Sequence, residues 1–333
     1  MRAVGRAVER WASAIATASA VVGRKVSIDP RSVFDRAADL PLGPPGRWSP
    51  NRSCRLVRAA DGWIAINLPR EDDLAMVPAW LGQEFRGDPW CAIVRVARTR
   101  ICADLLGQAR LLGLAMSIVG ETGAGSGVLT HRLGAGRRQT TDRPRVVDLT
   151  SMWAGPLCAS LLAEAGADVV RYESVRRPDP TRIATPAFYA RLNDRKAQAA
   201  LDFAHAGDRA RLTDAVASAD MVVTSARPRA FEGLGITPAS MMVHNPALIW
   251  VAITGHGWLG DGADRVAFGD DAAAAGGLLD WTSHDEPRFA GDALADPLTG
   301  LAAAAAALEA LQASGGVLID AALSRVAADA ASD

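Results

Sequence analysis

The chain has 333 residues, 49% of them hydrophobic, with 36 Lys plus Arg set against 37 Asp plus Glu. That length can bury a sizeable core and allows two domains, and the near-zero net charge excludes a global field of the kind that gathers nucleic acid or coats an anionic membrane. Cys54, Cys91, Cys102 and Cys158 show no CxxC pairing and no metal-ligand spacing with the five histidines, so no metal site and no disulfide framework is expected, and a reducing cytoplasm fits.

In chain order, "MRAVGRAVERWASAIATASAVVG" reads as an amphipathic helix: Arg6, Glu9 and Arg10 interrupt it too often for a signal peptide. Residues 41 to 51, "PLGPPGRWSPN", carry four prolines and predict an extended connector, closing a helical arm over 1–50. In the middle, "DGWIAINLP" alternates like a half-buried strand, "DDLAMVPAWLG" reads as a helix with a proline near its centre, and "ICADLLGQARLLGLAMSIVGE" as a helix stopping at Gly113 before a strand. This predicts a small α+β domain over 51–125. A Gly-, Ser-, Thr- and Arg-rich stretch follows, read as a linker over 126–142; its "GAGRR" patch, residues 134 to 138, is a lesser candidate for touching a phosphate. From 143 to 333 short apolar runs ("RVVDL", "ADVVRYE", "DMVVTSA", "PALIWVAITG") alternate with helical stretches, which predicts an α/β domain with a mostly parallel, Rossmann-like sheet. The closing "LTGLAAAAAALEALQASGG" is a strong helix former ended by glycines before "VLID". The uncharged run from Pro297 to Leu308 is far short of the roughly 20 residues a bilayer span needs.

The first strand-to-helix turn of this domain, "TSMWAGP", has a single glycine, with Pro156 positioned to start a helix. A dinucleotide turn needs several glycines, so NAD is disfavoured, while a helix N-terminus still suits an anion. His131, His205, His244 and His284 show no spacing that suggests a metal or a catalytic triad.

Six segments in register, "DLTSMWAGPLCASLLAEAGADVVRYE", "LNDRKAQAALDF", "ADMVVTSARPRAFEGLGI", "NPALIWVAITGHG", "LADPLTGLAAAAAALEAL" and "SGGVLIDAALS", resemble the class III CoA-transferases, the CaiB/BaiF family that includes formyl-CoA transferase, carnitine CoA-transferases and α-methylacyl-CoA racemase. "ADGWIAINLPREDDLAMVPAWLG" is similar to the family's smaller domain, which normally follows the large one. The reversed order here implies a permuted or truncated-tandem arrangement.

The resemblance implies an acyl-CoA:carboxylate CoA-transferase with Asp296, in "ALADPLTG", as nucleophile. Read from the residues alone, Asp before Pro at a helix start is also a plain N-cap. The resemblance further implies coenzyme A as substrate rather than a resident cofactor, with contacts at Ser151, Met152, Trp153, Ala154, Lys196, Arg227, Gly255 and His256. A homodimer, possibly interlocked, or a related subunit is the implied partner. Two departures stand out. The family's Asn-Phe-Arg-Pro-Gly loop is here Ser225-Ala226-Arg227-Pro228-Arg229, and Asp270, beside Asp271, stands where the racemase branch has a histidine. Asp270 and Asp271 are thus secondary acid/base candidates; the alternatives are an acyl-CoA racemase or isomerase and a non-catalytic CoA-binding subunit.

Overall fold

A computed structural model describes residues 2–136, 143–313 and 315–333. The chain opens with α1 (Arg2–Val22), whose Val4, Ala7, Val8, Trp11, Ile15 and Ala18 recur at helical spacing and are buried, and the short α2 (Pro30–Phe34). Next come β1 (Cys54–Arg58), β2 (Trp63–Asn67), α3 (Glu71–Ala75), α4 (Val77–Leu81), α5 (Pro89–Ala97), α6 (Cys102–Leu112) and β3 (Ala115–Ile118). After β4 (Val128–Arg132) the alternation begins: β5 (Arg145–Leu149), α7 (Ala154–Ala165), β6 (Asp168–Ser174), α8 (Thr181–Ala184), α9 (Pro186–Asn193), β7 (Ala197–Leu201), α10 (Ala206–Ala217) and β8 (Met221–Thr224). It continues with α11 (Pro228–Leu234), α12 (Pro238–His244), β9 (Ile249–Thr254), α13 (Gly269–Ala275), β10 (Leu279–Trp281), β11 (Pro287–Phe289), α14 (Ala295–Gln312), β12 (Val317–Ala322) and α15 (Leu323–Ser332).

Seven strands form one sheet in the order β4-β12-β9-β8-β5-β6-β7. Every neighbouring pair is parallel except β12 with β4. The architecture is α/β with a mixed sheet. Because helices cover both faces, successive side chains enter opposite cores. Val146, Met221, Val223, Ile249, Val251 and Ile319 join α1, α7, α14 and α15 on one side. Val147, Val222, Trp250 and Leu318 meet Leu212, Phe231 and Met241 on the other. The alanines of α14 let its neighbours come close, and at Gly300 a side chain would strike Leu157 and the carbonyl of Ala154 on α7.

The smaller sheet, β1-β2-β3, is antiparallel. All five residues of β2 are buried rather than half of them. Ile64 and Ile66 face Trp80, Ile93 and Leu105, while Trp63 and Ala65 face Ala274 of α13, so the side expected to meet solvent is covered by the larger unit. The helix read across "DDLAMVPAWLG" is two short helices, α3 and α4, with Met76 between them and Pro78 in the second. Gly113 ends α6 in the left-handed region (φ 67°), as its lack of a side chain allows.

Two expectations about segment boundaries change. The N-terminal helix is no free arm, for α1 lies in the same core as α14 and α15. Part of the expected linker is β4, which pairs along β12, while residues 137–142, with Arg137 and Arg138 of the "GAGRR" patch, lie outside the described residues. No helix among the described residues is long and apolar enough to cross a membrane.

Candidate active site

The turn after β5 is built on buried charge. Asp148 accepts from the N–H and hydroxyl of Thr150 (2.9 and 2.5 Å) and from Lys196 Nζ (2.8 Å). Lys196 also donates to the carbonyl of Pro156 (2.9 Å) and to Asn193 Oδ1 (3.0 Å). Burial lowers its pKa and the Asp148 charge opposes that shift. An ammonium has three donors, and all three are used inside the protein. The expectation that Lys196 offers a cation to a ligand is therefore revised: it ties β5 to the start of α7. Gly155 has a similar duty, since a side chain there would run into Thr150.

The turn's N–H groups are committed as well. Ser151 donates to Ser225 Oγ (3.0 Å) and Met152 to Asp179 Oδ2 (3.0 Å), the latter being held by Arg171 (2.9 Å). Ser151 and Met152 are exposed, Met152 with φ 73°, whereas Trp153 and Ala154 are buried. Within this turn, then, side chains at 151 and 152 face solvent and Trp153 belongs to the core, edge-on to Phe188 with ring centres 5.1 Å apart.

Asp296 is the second residue of α14 and does not cap it; the cap position is Leu294. Its carboxylate turns onto Gly269, the first residue of α13, where any side chain would collide with Asp296 Oδ2 and the carbonyl of Ala293. Ala293 itself is strained (φ 45°) and donates its N–H to Asp270 Oδ1 (2.8 Å). Asp270 Oδ2 accepts from Asn51 Nδ2 (2.8 Å), which also reaches Asp292 (3.2 Å). Arg36 grips Asp292 through Nε (2.5 Å) and a terminal nitrogen (3.0 Å), its guanidinium 4.7 Å from the centre of the Trp153 ring. One guanidinium thus stands among three carboxylates.

Crowding of like charge in a poorly solvated corner favours the neutral acid. Burial pushes Asp296 up to about 7; the Arg36 charge opposes this, while Asp270 and Asp292 add to it. Asp270 is pushed up to about 6 by burial and then by Asp292. Asp296 is nevertheless only partly buried. Cavities of about 440 and 610 Å³ lie elsewhere, one lined by Arg24, Arg143 and Arg195 and the other by Trp80, Arg100 and Gln108.

The remaining candidates scatter. Asp271 faces away from Asp296, capping α13 at the Phe268 N–H (2.9 Å) and accepting from Asn67 of the small sheet (3.1 Å). Burial raises it to about 7, and its Oδ2 is buried without a partner, as is Asn67 Oδ1. Arg227 is partly exposed and donates to the Asp264 carbonyl (3.1 Å). Burial lowers its pKa and the Arg229 charge lowers it further, Asp264 opposes this, and Arg70 and Arg177 add smaller downward contributions. Gly255 packs against Ala267, and His256, lowered to about 3 by burial and by Arg265 and Arg110, is neutral at pH 7 with Nε2 unpartnered. No group of three or more His, Cys, Asp or Glu among the described residues is arranged to hold a metal ion.

Sequence reasoning missed Arg36, Asn51, Asp292 and Gly269. Gly269 adjoins Asp270, and Asp292 stands four residues before Asp296, a spacing that is visible in the sequence. Arg36 and Asn51 carried no signal, because only the fold returns the N-terminal segment to α14.

Comparison with known proteins closes the description. CoA-transferase family III matches residues 143–332, more than half of the chain. An acyl-CoA transferase of Fusarium pseudograminearum is 32% identical over 184 residues, covering 50% of this chain and 40% of that protein. A succinyl-CoA–D-citramalate CoA-transferase of Chloroflexus aurantiacus is 30% identical over 179 residues, covering 51% and 44%. Among solved structures, a CAIB/BAIF family protein from Brucella suis superposes with a TM-score of 0.52 at 31% identity, covering 56% of this chain and 53% of that one. The chain spans about half the length, or less, of these relatives. It belongs to CoA-transferase family III, the CaiB/BaiF family.

Proposed function

We propose that this chain carries the acyl-CoA:carboxylate transfer centre of a family III enzyme, with Asp296 as the covalent nucleophile. The observation that carries this reading is the Asp296 carboxylate itself: it starts a buried helix, yet it leaves the capping position empty and sits against a glycine among like charges. A carboxylate raised toward 7 is still half ionised at neutral pH and more basic than an ordinary one, which favours attack on a carbonyl. In the proposed sequence an Asp296 oxygen adds to the thioester carbonyl and the C–S bond breaks, giving a mixed anhydride and free CoA thiolate. The thiolate returns to the Asp296 acyl carbon, releasing the first carboxylate and leaving an aspartyl-CoA thioester. An incoming carboxylate attacks that thioester and expels the thiolate, which then takes the new acyl group and frees Asp296. No metal or redox cofactor enters these steps.

Strand order supports the site's location. Among the parallel strands the order β7-β6-β5-β8-β9-β12 runs outward both ways from β5 and β8, the Rossmann-like pattern, and ligands of such sheets bind where the order reverses, beyond the strands' C-terminal ends. There the turns after β5 and β8 touch through Ser151 and Ser225. On this reading Arg227, with Arg229, Arg177 and Arg70, meets the CoA phosphates, and Phe268, 5.8 Å from the Arg70 guanidinium, flanks the way to Gly269 and Asp296. Asp270 accepts at both oxygens and serves better as a neighbouring charge than as the base of a racemase.

A second reading concerns assembly. The chain spans about half of its relatives and carries its small sheet ahead of the large one. We infer a permuted or truncated-tandem arrangement, with a small α+β domain over 51–125 before a large one over 143–333, working as a homodimer or beside a related subunit.

The test is mass spectrometry after incubation with an acyl-CoA, with and without hydroxylamine. An adduct on the Asp296 peptide is expected in the native chain and none in Asp296→Ala. The same adduct surviving in that variant removes Asp296 from the mechanism, and CoA binding only beside a homologous chain favours a partner subunit.

A further inference from the structure

The matched family segment begins at residue 143, yet the charge facing Asp296 comes from far upstream. Arg36 reaches the site from the loop after α2, and its side chain is 15% exposed while that of Asp292 is 8% exposed. Two hydrogen bonds fix it on Asp292 and the Trp153 ring lies beside it, so the guanidinium has a defined place, not a swinging one. Asn51, from the same upstream stretch, joins Asp292 to Asp270. Asp296 thus lies against Gly269 of α13 and within the fields of Asp270, Asp292 and Arg36, of which Arg36 holds Asp292 and Asn51 links Asp292 to Asp270.

Like charges this close raise the cost of ionising Asp296, and an adjacent fixed cation lowers it. Burial works against the negative charge of Asp296, and the Arg36 charge, shared with Asp292, works for it. We propose that Arg36 is a positioning residue for Asp296, supplied by a segment outside the family match: clamped to Asp292 and braced on Trp153, it keeps the Asp296 carboxylate available as an anion. Asp292 then acts in the opposite sense, as the residue that absorbs part of that field. Arg36 does not touch the reacting atoms.

This inference rests on the transfer reading for its functional meaning, but its test does not. Carboxyl-carbon NMR of aspartate-labelled, ligand-free protein, with the Asp296 resonance identified by its loss in Asp296→Asn, follows the titration directly. In Arg36→Gln the Asp296 midpoint should rise by about one pH unit, the scale of a lost adjacent opposite charge. In Arg36→Lys it should stay near the native value, and in Asp292→Asn it should fall. An Asp296 midpoint unmoved in both Arg36→Gln and Asp292→Asn overturns the proposal, and if Arg36→Gln does not fold, the downward shift in Asp292→Asn still decides it. Where adduct formation is measurable, its acid limb should move with the same midpoints while the KM for acyl-CoA changes little. Midpoints that shift as stated in a protein that never forms an Asp296 adduct would retain the inference and refute the transfer reading.

Discussion

Two corners of the large unit, the turn after β5 and the start of α14, use the same kinds of residues to opposite ends. In the first, Asp148 is matched by Lys196, Asp179 by Arg171, and the N–H groups of Ser151 and Met152 each find an oxygen. In the second, Asp270, Asp292 and Asp296 crowd around Arg36 with Asn51 as mediator. Balanced charge makes a fixed scaffold, because each group's loss leaves its partner stranded. Unbalanced charge leaves protons loosely owned, which is the condition a nucleophilic carboxylate requires. The sequence around the first corner drew attention as a binding turn, but its polar groups mostly bind one another.

Breaking the balanced corner should cost most. Lys196→Ala leaves the Asp148 carboxylate buried without its cation, and removing one partner of such a pair typically costs about 3–5 kcal/mol; a denaturant midpoint measured at pH 7 should drop accordingly. A variant as stable as the native chain would show that Lys196 is not structural. At the other corner, Gly269→Ala sets a methyl group against the Asp296 carboxylate and the Ala293 carbonyl. The accompanying strain should be about 1–3 kcal/mol, and adduct formation should fall at least tenfold, since small displacements of a reacting group are expensive. Unchanged adduct yield would mean that the contact with Gly269 has no part in holding Asp296.

The smallest effect concerns pH. Asp270, Asp271 and Asp296 all lie above their ordinary range, at about 6, 7 and 7. A raised value means that the folded chain holds the proton more tightly than the unfolded one. The stability this contributes is complete below about pH 4 and is lost as pH rises toward 7. A plot of melting temperature against pH should therefore decline across that interval. Asp271→Asn should flatten the decline and stabilise the chain at pH 8 by about 1 kcal/mol, because an amide there can still accept from the Phe268 N–H while offering a donor to the unpartnered Asn67 oxygen. A steeper decline in that variant would contradict this account.

Legibility followed the range of the physics. The strands at "RVVDL" and "PALIWVAITG" and the helix at "LTGLAAAAAALEAL" were readable, because periodicity and glycine stops are local. β4 was not: its "VLTHR" has exposed and half-buried residues with no apolar run, and pairing with β12 is what makes it a strand. β2 was read as half-buried because a strand cannot announce that α13 will cover its second face. In the candidate site, the motifs single out Asp296 and Asp270 by resemblance, and they single out Lys196 for an outward role although its ammonium is spent on three internal acceptors. Arg36 follows the short α2 and Asn51 closes the proline-rich connector, and neither position carries a local pattern that points to a site.

The packing of α1 on α14 has a practical side. Anyone trimming this chain to the stretch that matches its family, for crystallisation or for a shorter catalyst, would strip the lining from the alanine-rich flank of α14 and discard Arg36 and Asn51 together. The fragment would expose grease where the parent has a seam and leave Asp292 without its cation, so the smallest piece of this polypeptide that keeps this corner whole is larger than the stretch its family match defines.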